Sequence, residues 1–115
     1  MKKKILITGS QGYIAKNVAK KLQKKNFNVY GIGRGEWVKN DYKKWGYLNQ
    51  INGKLTKKNL SKLNLKFDFI IHCAGSGLVG LKRKEDFVNN VKSTMSLIDF
   101  IEKNQNKTKI IFMSS

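Results

Sequence analysis

The sequence predicts an α/β chain built on a doubly wound parallel sheet, and three observations predict it. Short β-branched runs bounded by glycine alternate with amphipathic helical segments. The first run, Ile5-Leu6-Ile7, breaks at Thr8-Gly9 and a helical pattern opens after Gly12. A later run, Phe67-Asp68-Phe69-Ile70-Ile71-His72, ends in the small residues Cys73-Ala74-Gly75 and is followed by a long apolar-periodic stretch.

Each element follows from its pattern. Lys4–Thr8 reads as a buried strand. Over residues 12–25, Ile14, Ala15, Val18, Ala19 and Leu22 recur at helical spacing with lysines opposite. Residues 27–32 form a second strand, closed by Gly31-Ile32-Gly33-Arg34-Gly35. Residues 36–44 are polar and aromatic and read as a loop or irregular turn. Residues 47–51 read as a third strand. Thr56 caps a short helix running to Leu63. Residues 66–72 are the fourth strand, and 76–81 a glycine-bearing loop. A helix over residues 85–103 has Phe87, Val88, Val91, Met95, Leu97, Ile98 and Ile101 as its expected buried side. Residues 108–113 close the series as a fifth strand. Helical crossovers between such strands are right-handed, which gives a sheet order of 3-2-1-4-5. The ligand crevice of such a sheet lies where the order reverses, between the carboxyl ends of the first and fourth strands. Thr8-Gly9 and His72-Cys73-Ala74-Gly75 stand at those two ends.

Composition sets the outer limits. A chain of 115 residues is one domain at most, and 40% hydrophobic residues suits a globular chain rather than a disordered one. No apolar run is long enough to span a bilayer, and Ile5-Leu6-Ile7 is too short for a secretion signal, so a cytoplasmic chain without a membrane partner is expected. Cys73 is the sole cysteine, which rules out an intrachain disulfide and agrees with a reducing compartment. The net charge of +17 draws polyanions and phosphorylated ligands. Only Arg34 and Arg83 are arginines, the lysines fall in scattered pairs, and no aromatic ladder runs between them. That pattern lacks the planar forks and stacking platforms of a base reader, so no specific nucleic-acid partner is expected. A basic nucleic-acid module is the weakest of three functional readings.

The corner itself carries the chemistry. Gly9 permits a sharp exit from the strand, Gly12 leaves room for phosphate at the helix start, and Ala15 lets the helix lie close to the sheet. Free backbone N–H groups and the positive helix end then suit a dinucleotide pyrophosphate. A glycine triplet alone is weak evidence; the readable strand and helix around it strengthen the reading. His72 at the crevice edge reads as a structural histidine, since no set of ligands at metal spacing accompanies it. Cys73 reads as a buried thiol rather than a nucleophile.

Thr8-Gly9-Ser10-Gln11-Gly12-Tyr13-Ile14-Ala15 resembles the T-G-x-x-G-x-x-G signature of the extended short-chain dehydrogenases/reductases, the NAD(P)-dependent sugar-nucleotide epimerases and dehydratases. Asp68-Phe69-Ile70-Ile71-His72-Cys73-Ala74-Gly75 is similar to their D-x-V-I-H-x-A-A segment. Asn90-Val91-Lys92-Ser93-Thr94-Met95-Ser96-Leu97-Ile98 is similar to their N-V-x-G-T-x-N-L-L helix, and Ile110-Ile111-Phe112-Met113-Ser114-Ser115 to the strand before S-S-x-x-V-Y-G. Four motifs in the right order are far more specific than one.

The resemblance implies a Rossmann-type sheet truncated after its fifth strand. Gly9, Gln11, Gly12, Tyr13 and Ile14 would hold pyrophosphate, Arg34 the adenosine ribose end, Leu55 the adenine, and Ala74 and Gly75 the inner ribose. Ser115 would match the family's serine or threonine that orients the substrate oxygen, with Ser114 the alternative. Three departures modify this. Ala15 replaces the third glycine. Gly33-Arg34 stands where NAD-preferring members carry an acid at the end of the second strand, which favours NADP over NAD, although Glu36 could still serve the ribose. Lys54 stands where the family's G-D-L-T has an aspartate that contacts adenine, and a lysine cannot accept from the adenine amino group.

None of Tyr13, Tyr30, Tyr42 and Tyr47 has a lysine four positions later, so the family's Tyr-x-x-x-Lys pair is absent from this sequence. The expected function is therefore the NAD(P)-binding portion of a nucleotide-sugar epimerase, dehydratase or reductase, with a nucleotide sugar as substrate of the longer protein and no turnover by these 115 residues alone. The alternative is a noncatalytic NADP-sensing or interaction domain. The fifth strand would be an open apolar edge, so the chain is expected to be oligomeric, marginally stable or a piece of a longer gene product.

Overall fold

The computed structural model describes residues 2–35, 37–73, 84–104 and 107–113. The run Ile5-Leu6-Ile7 becomes the middle of β1 (Lys4–Thr8), where Leu6 and Ile7 are wholly buried on opposite faces of the sheet. Such burial on both faces explains why this strand reads as continuous rather than alternating apolar sequence. The chain turns at residues 9–12 into α1 (Tyr13–Lys24) and returns as β2 (Asn28–Gly33). A 3-10 segment (Val38–Lys43) leads into β3 (Tyr47–Asn52). Then come α2 (Lys57–Ser61), β4 (Phe69–His72), α3 (Lys84–Asn104) and β5 (Lys109–Phe112).

All five strands pair in parallel in the order β3-β2-β1-β4-β5, as expected from the sequence. Leu6 lies beside Tyr30 of β2 and Ile70 of β4, and Thr8 beside Ile32 and His72. This register brings the carboxyl ends of β1, β2 and β4 level with one another. A register shift at Val29/Tyr30 lets β3 follow β2.

The sheet separates two apolar layers. On one face Ile5, Ile7, Val29, Tyr47 and Ile71 pack with Ala15 and Ala19 of α1. Both alanines are essentially inaccessible, so α1 lies directly on the strands. The two tryptophans belong to this layer. Trp37 meets Tyr47 and Tyr42 edge-on, with ring centres 5.9 Å and 6.4 Å apart. Its buried Nε1 has no hydrogen-bond partner among the described residues. The ammonium groups of Lys16 and Lys20 lie 4.8 Å and 5.6 Å from the Trp45 ring. On the other face Leu6, Ile32 and Ile70 pack with Leu60 of α2 and with Leu97 and Phe100 of α3.

Three expectations need correction. Residues 36–44 are not wholly irregular, since 38–43 form a 3-10 segment that Lys39 and Asn40 kink with positive φ values of 46° and 64°. Val91 and Met95 are about half exposed, at 46% and 54%, rather than core, while Phe100, absent from the expected buried side, is buried. Ile14 is likewise 52% exposed although it fits the helical apolar pattern of α1. Its neighbour Ala15, 1% exposed, is the residue of this first turn that meets the strands. Phe87 and Val88 are outside the described side chains.

Candidate functional site

The corner after β1 takes its shape from Gly9, whose φ of +66° is left-handed and strained for any residue with a Cβ. The Gly12 N–H donates to the Gly9 carbonyl at 3.0 Å, closing the turn. Gly12 is the cap of α1 in an extended conformation (φ −64°, ψ 153°). No side chain caps the helix, and its first turn holds no acidic residue. The leading amides of α1 thus keep their donors for an external acceptor, and the helix end is positive. Tyr13 (79% exposed) and Ile14 stand at this opening. The arrangement fits a bound anion.

Ser10 anchors the corner to two strands. Its side chain is fully buried, its N–H donates to the Ile32 carbonyl at 3.2 Å, and its hydroxyl donates to Gln50 Oε1 at 2.6 Å. The Tyr47 hydroxyl donates to the Ser10 carbonyl at 2.7 Å. Burial pushes the Tyr47 hydroxyl far above its ordinary pKa, with a smaller push from Cys73, so it stays a donor. The turn is held from beneath by β2 and β3. The sequence pattern marked the glycines but missed Ser10, Tyr47 and Gln50, because their partners are some forty positions apart.

Arg34 lies exposed just past the end of β2. Beside it, the Gly35 N–H donates to Gln11 Oε1 at 2.7 Å, which ties the corner to the β2 end. The Gly33 carbonyl accepts from the Gly53 N–H at 2.7 Å, fastening the same strand end to the loop after β3. Leu55, expected at the adenine, is only 8% exposed and packs into the α2/α3 layer. Thr56 does cap α2: its hydroxyl accepts from the Asn59 N–H at 3.2 Å. Gly9, Gln11, Gly12, Tyr13, Ile14 and Arg34 therefore lie at the ends of β1 and β2, while Leu55 belongs to the core layer on the α2/α3 side. Ala74, Gly75, Glu36, Ser114 and Ser115 lie outside the described residues.

At the end of β4, His72 is a buried linker. Its Nδ1 lies 2.7 Å from Thr8 Oγ1 and its Nε2 lies 3.1 Å from Thr94 Oγ1 of α3. Thr8 Oγ1 also accepts from the Cys73 N–H at 3.1 Å. A neutral ring satisfies this arrangement with the Thr8 hydroxyl donating to Nδ1 and Nε2–H donating to Thr94. Desolvation lowers the His72 pKa, which keeps the ring neutral, and raises that of the half-buried Cys73 thiol. The structural reading of His72 fits these contacts, and its bond to Thr94 is one that spacing could not reveal. No group of residues able to hold a metal ion occurs among the described residues.

The chain matches the model of the NAD dependent epimerase/dehydratase family over residues 5–115. It belongs to that family. Among solved structures it is similar to the UDP-glucose 4-epimerase from Bifidobacterium longum in complex with NAD+ and UDP, with 27% identity, a TM-score of 0.83, and coverage of 97% of this chain but 37% of that one. It has the fold of the UDP-N-acetylglucosamine 4-epimerase from Bacillus cereus (20% identity, TM-score 0.76, 98% of this chain and 35% of that one). It also has the fold of the uronate dehydrogenase from Agrobacterium tumefaciens (16% identity, TM-score 0.77, 98% and 41%). The chain thus spans well under half the length of these relatives. It is homologous to the NAD-binding part of the sugar-nucleotide epimerases, and its glycine corner stands at the carboxyl end of β1 in a Rossmann-like sheet.

Proposed function

We propose that this chain is the dinucleotide-holding portion of a cytoplasmic nucleotide-sugar epimerase, dehydratase or reductase, with NADP favoured over NAD. The observation that supports the reading best is the uncapped, acid-free start of α1 behind a left-handed Gly9. That start offers several N–H donors and a positive helix end to a pyrophosphate. Gly9, Gln11, Gly12, Tyr13 and Ile14 surround the phosphates, Arg34 takes the adenosine ribose, the edge of Leu55 supports the adenine, and Ala74 and Gly75 line the inner ribose. The absence of an acid at Gly33 and the presence of Arg34 beside it support the 2′-phosphorylated cofactor.

When bound, the dinucleotide supplies a nicotinamide that takes up a hydride from a sugar carbon. The residues of this chain hold and orient it: the corner fixes the phosphates, and His72 fixes the end of β4 to β1 and α3. Ser115 would orient the substrate oxygen. Proton transfer needs a general base at the sugar hydroxyl, and the sequence holds no Tyr-x-x-x-Lys to provide one. These 115 residues accordingly bind cofactor without turning over a nucleotide sugar.

Thermal unfolding of the purified chain with NADPH, NADH or neither tests the reading. Ligand at a hundred times its dissociation constant stabilises the folded state by about 2.7 kcal/mol, a plain rise in melting temperature. Protection by NADPH at lower concentration than NADH, with UDP-sugar unchanged after prolonged incubation, is the expected result. Protection by neither dinucleotide, or turnover of the sugar, overturns it.

A further inference from the structure

We propose that the Tyr47 hydroxyl is a positioning group for the anion seat: by holding the Ser10 carbonyl under the corner, it turns the Gln11 N–H outward as one more donor to a bound diphosphate. The inference rests on the dinucleotide reading above. Tyr47 is 1% exposed and enters from the start of β3, in the apolar layer on the α1 side of the sheet. Its hydroxyl donates to the Ser10 carbonyl at 2.7 Å. The peptide joining Ser10 to Gln11 is trans and planar, so its C=O and N–H point in opposite directions. A carbonyl drawn down to a buried hydroxyl therefore lifts the Gln11 N–H toward the surface. That N–H bonds nothing among the described residues. It stands one residue before Gly12, the cap behind which the leading amides of α1 are open.

Ser10 is fixed on three sides. Its N–H donates to the Ile32 carbonyl, its hydroxyl to Gln50 Oε1, and its carbonyl accepts from Tyr47, so each of its polar groups is engaged by β2 or β3. Gly31 makes this meeting possible: a Cβ there would stand 2.7 Å from Ser10 Cβ and 3.0 Å from Tyr47 Cδ1. The Tyr47 ring is steadied in turn by its edge-on contact with Trp37. Without the hydroxyl, the Ser10 carbonyl would be a buried acceptor lacking its partner, and such a group is costly to leave unpaired. Rotating the 10–11 peptide toward water relieves that cost and takes the Gln11 N–H out of the seat.

The test combines amide nuclear magnetic resonance with calorimetry on the full chain. The probes are inorganic pyrophosphate and NADPH, in about 0.3 M sodium chloride to screen the surface lysines. In the parent, pyrophosphate should move the Gln11 amide proton downfield, as a charge-assisted hydrogen bond does. Tyr47→Phe keeps the ring that packs on Trp37 and removes only the hydroxyl. With tryptophan emission like the parent's, it should abolish that shift and weaken both probes by about tenfold, the worth of one hydrogen bond to a charged group. A Tyr47→Phe chain that binds pyrophosphate as the parent does, or that melts earlier yet keeps the Gln11 shift, overturns the positioning role and leaves the dinucleotide reading standing. Should Tyr47→Phe fail to fold, the parent decides alone. Movement of its Gln11 amide upholds the proposal, and a Gln11 amide that stays in place while those of Tyr13 and Ile14 move overturns it. A parent that binds neither probe overturns the dinucleotide reading and the proposal with it.

Discussion

His72 shows how one residue ties local chemistry to stability. It is 6% exposed and bonded at both ring nitrogens, and desolvation lowers its pKa below the free-imidazole value. The unfolded chain therefore takes up a proton at higher pH than the folded chain. Stability is complete above the unfolded-state pKa of about 6.5 and falls as pH drops from there through the lowered folded value. The slope approaches but does not exceed about 1.4 kcal/mol per pH unit. Urea unfolding between pH 7.5 and 5 should show this decline. His72→Gln, which keeps polar atoms at the site but does not titrate, should flatten it while costing stability at pH 7. A slope identical in the two proteins would place the titration elsewhere. The glycine corner was readable at this scale because Gly9 answers a purely local demand, a left-handed φ. The partners of His72 were not, because Thr8 and Thr94 reach it from sequence distances of 64 and 22 residues.

Helix α3 shows what an apolar pattern reveals about an element and what it leaves out. Thr94, Leu97 and Ile101 form one stripe and Val91, Met95 and Ile98 the next, so the periodic residues wrap around much of the helix. The sheet covers only one stripe: Leu97 is fully buried and Met95 is 54% exposed. Helical spacing identifies the element with confidence, but it cannot say which of two adjacent stripes meets the strands. Leu97→Ala should cost about 2–5 kcal/mol, the usual penalty for emptying a core site, whereas Met95→Ala should stay within about 0.5 kcal/mol of the parent. Chemical denaturation of both variants checks the difference. The 3-10 segment at residues 38–43 was hidden for another reason: its two positive-φ residues, Lys39 and Asn40, break any regular period.

For the whole molecule, sheet order was legible because parallel strands joined by helices admit few arrangements. Less legible was how the chain carries its charge. Seventeen excess positive charges on 115 residues repel one another in the compact state. Raising sodium chloride from about 0.02 M to 0.3 M shortens the screening length from roughly 20 Å to 6 Å and should raise the melting temperature by several degrees. Scattered lysines also predict weak binding to DNA that vanishes over the same range, while dinucleotide binding, seated on fixed amides, weakens less. A DNA affinity that survives 0.3 M salt would favour the nucleic-acid reading.

Both tryptophans sit on the α1 side of the sheet, and none is in the α2/α3 layer among the described residues. Trp37 touches Tyr47, the residue that holds the Ser10 carbonyl beneath the corner. Indole emission is therefore a built-in optical gauge of one half of the molecule. It should respond to occupancy of the corner without any added label. Followed alongside far-ultraviolet dichroism, to which the long α3 contributes most, it tells whether the two halves come apart together or in turn.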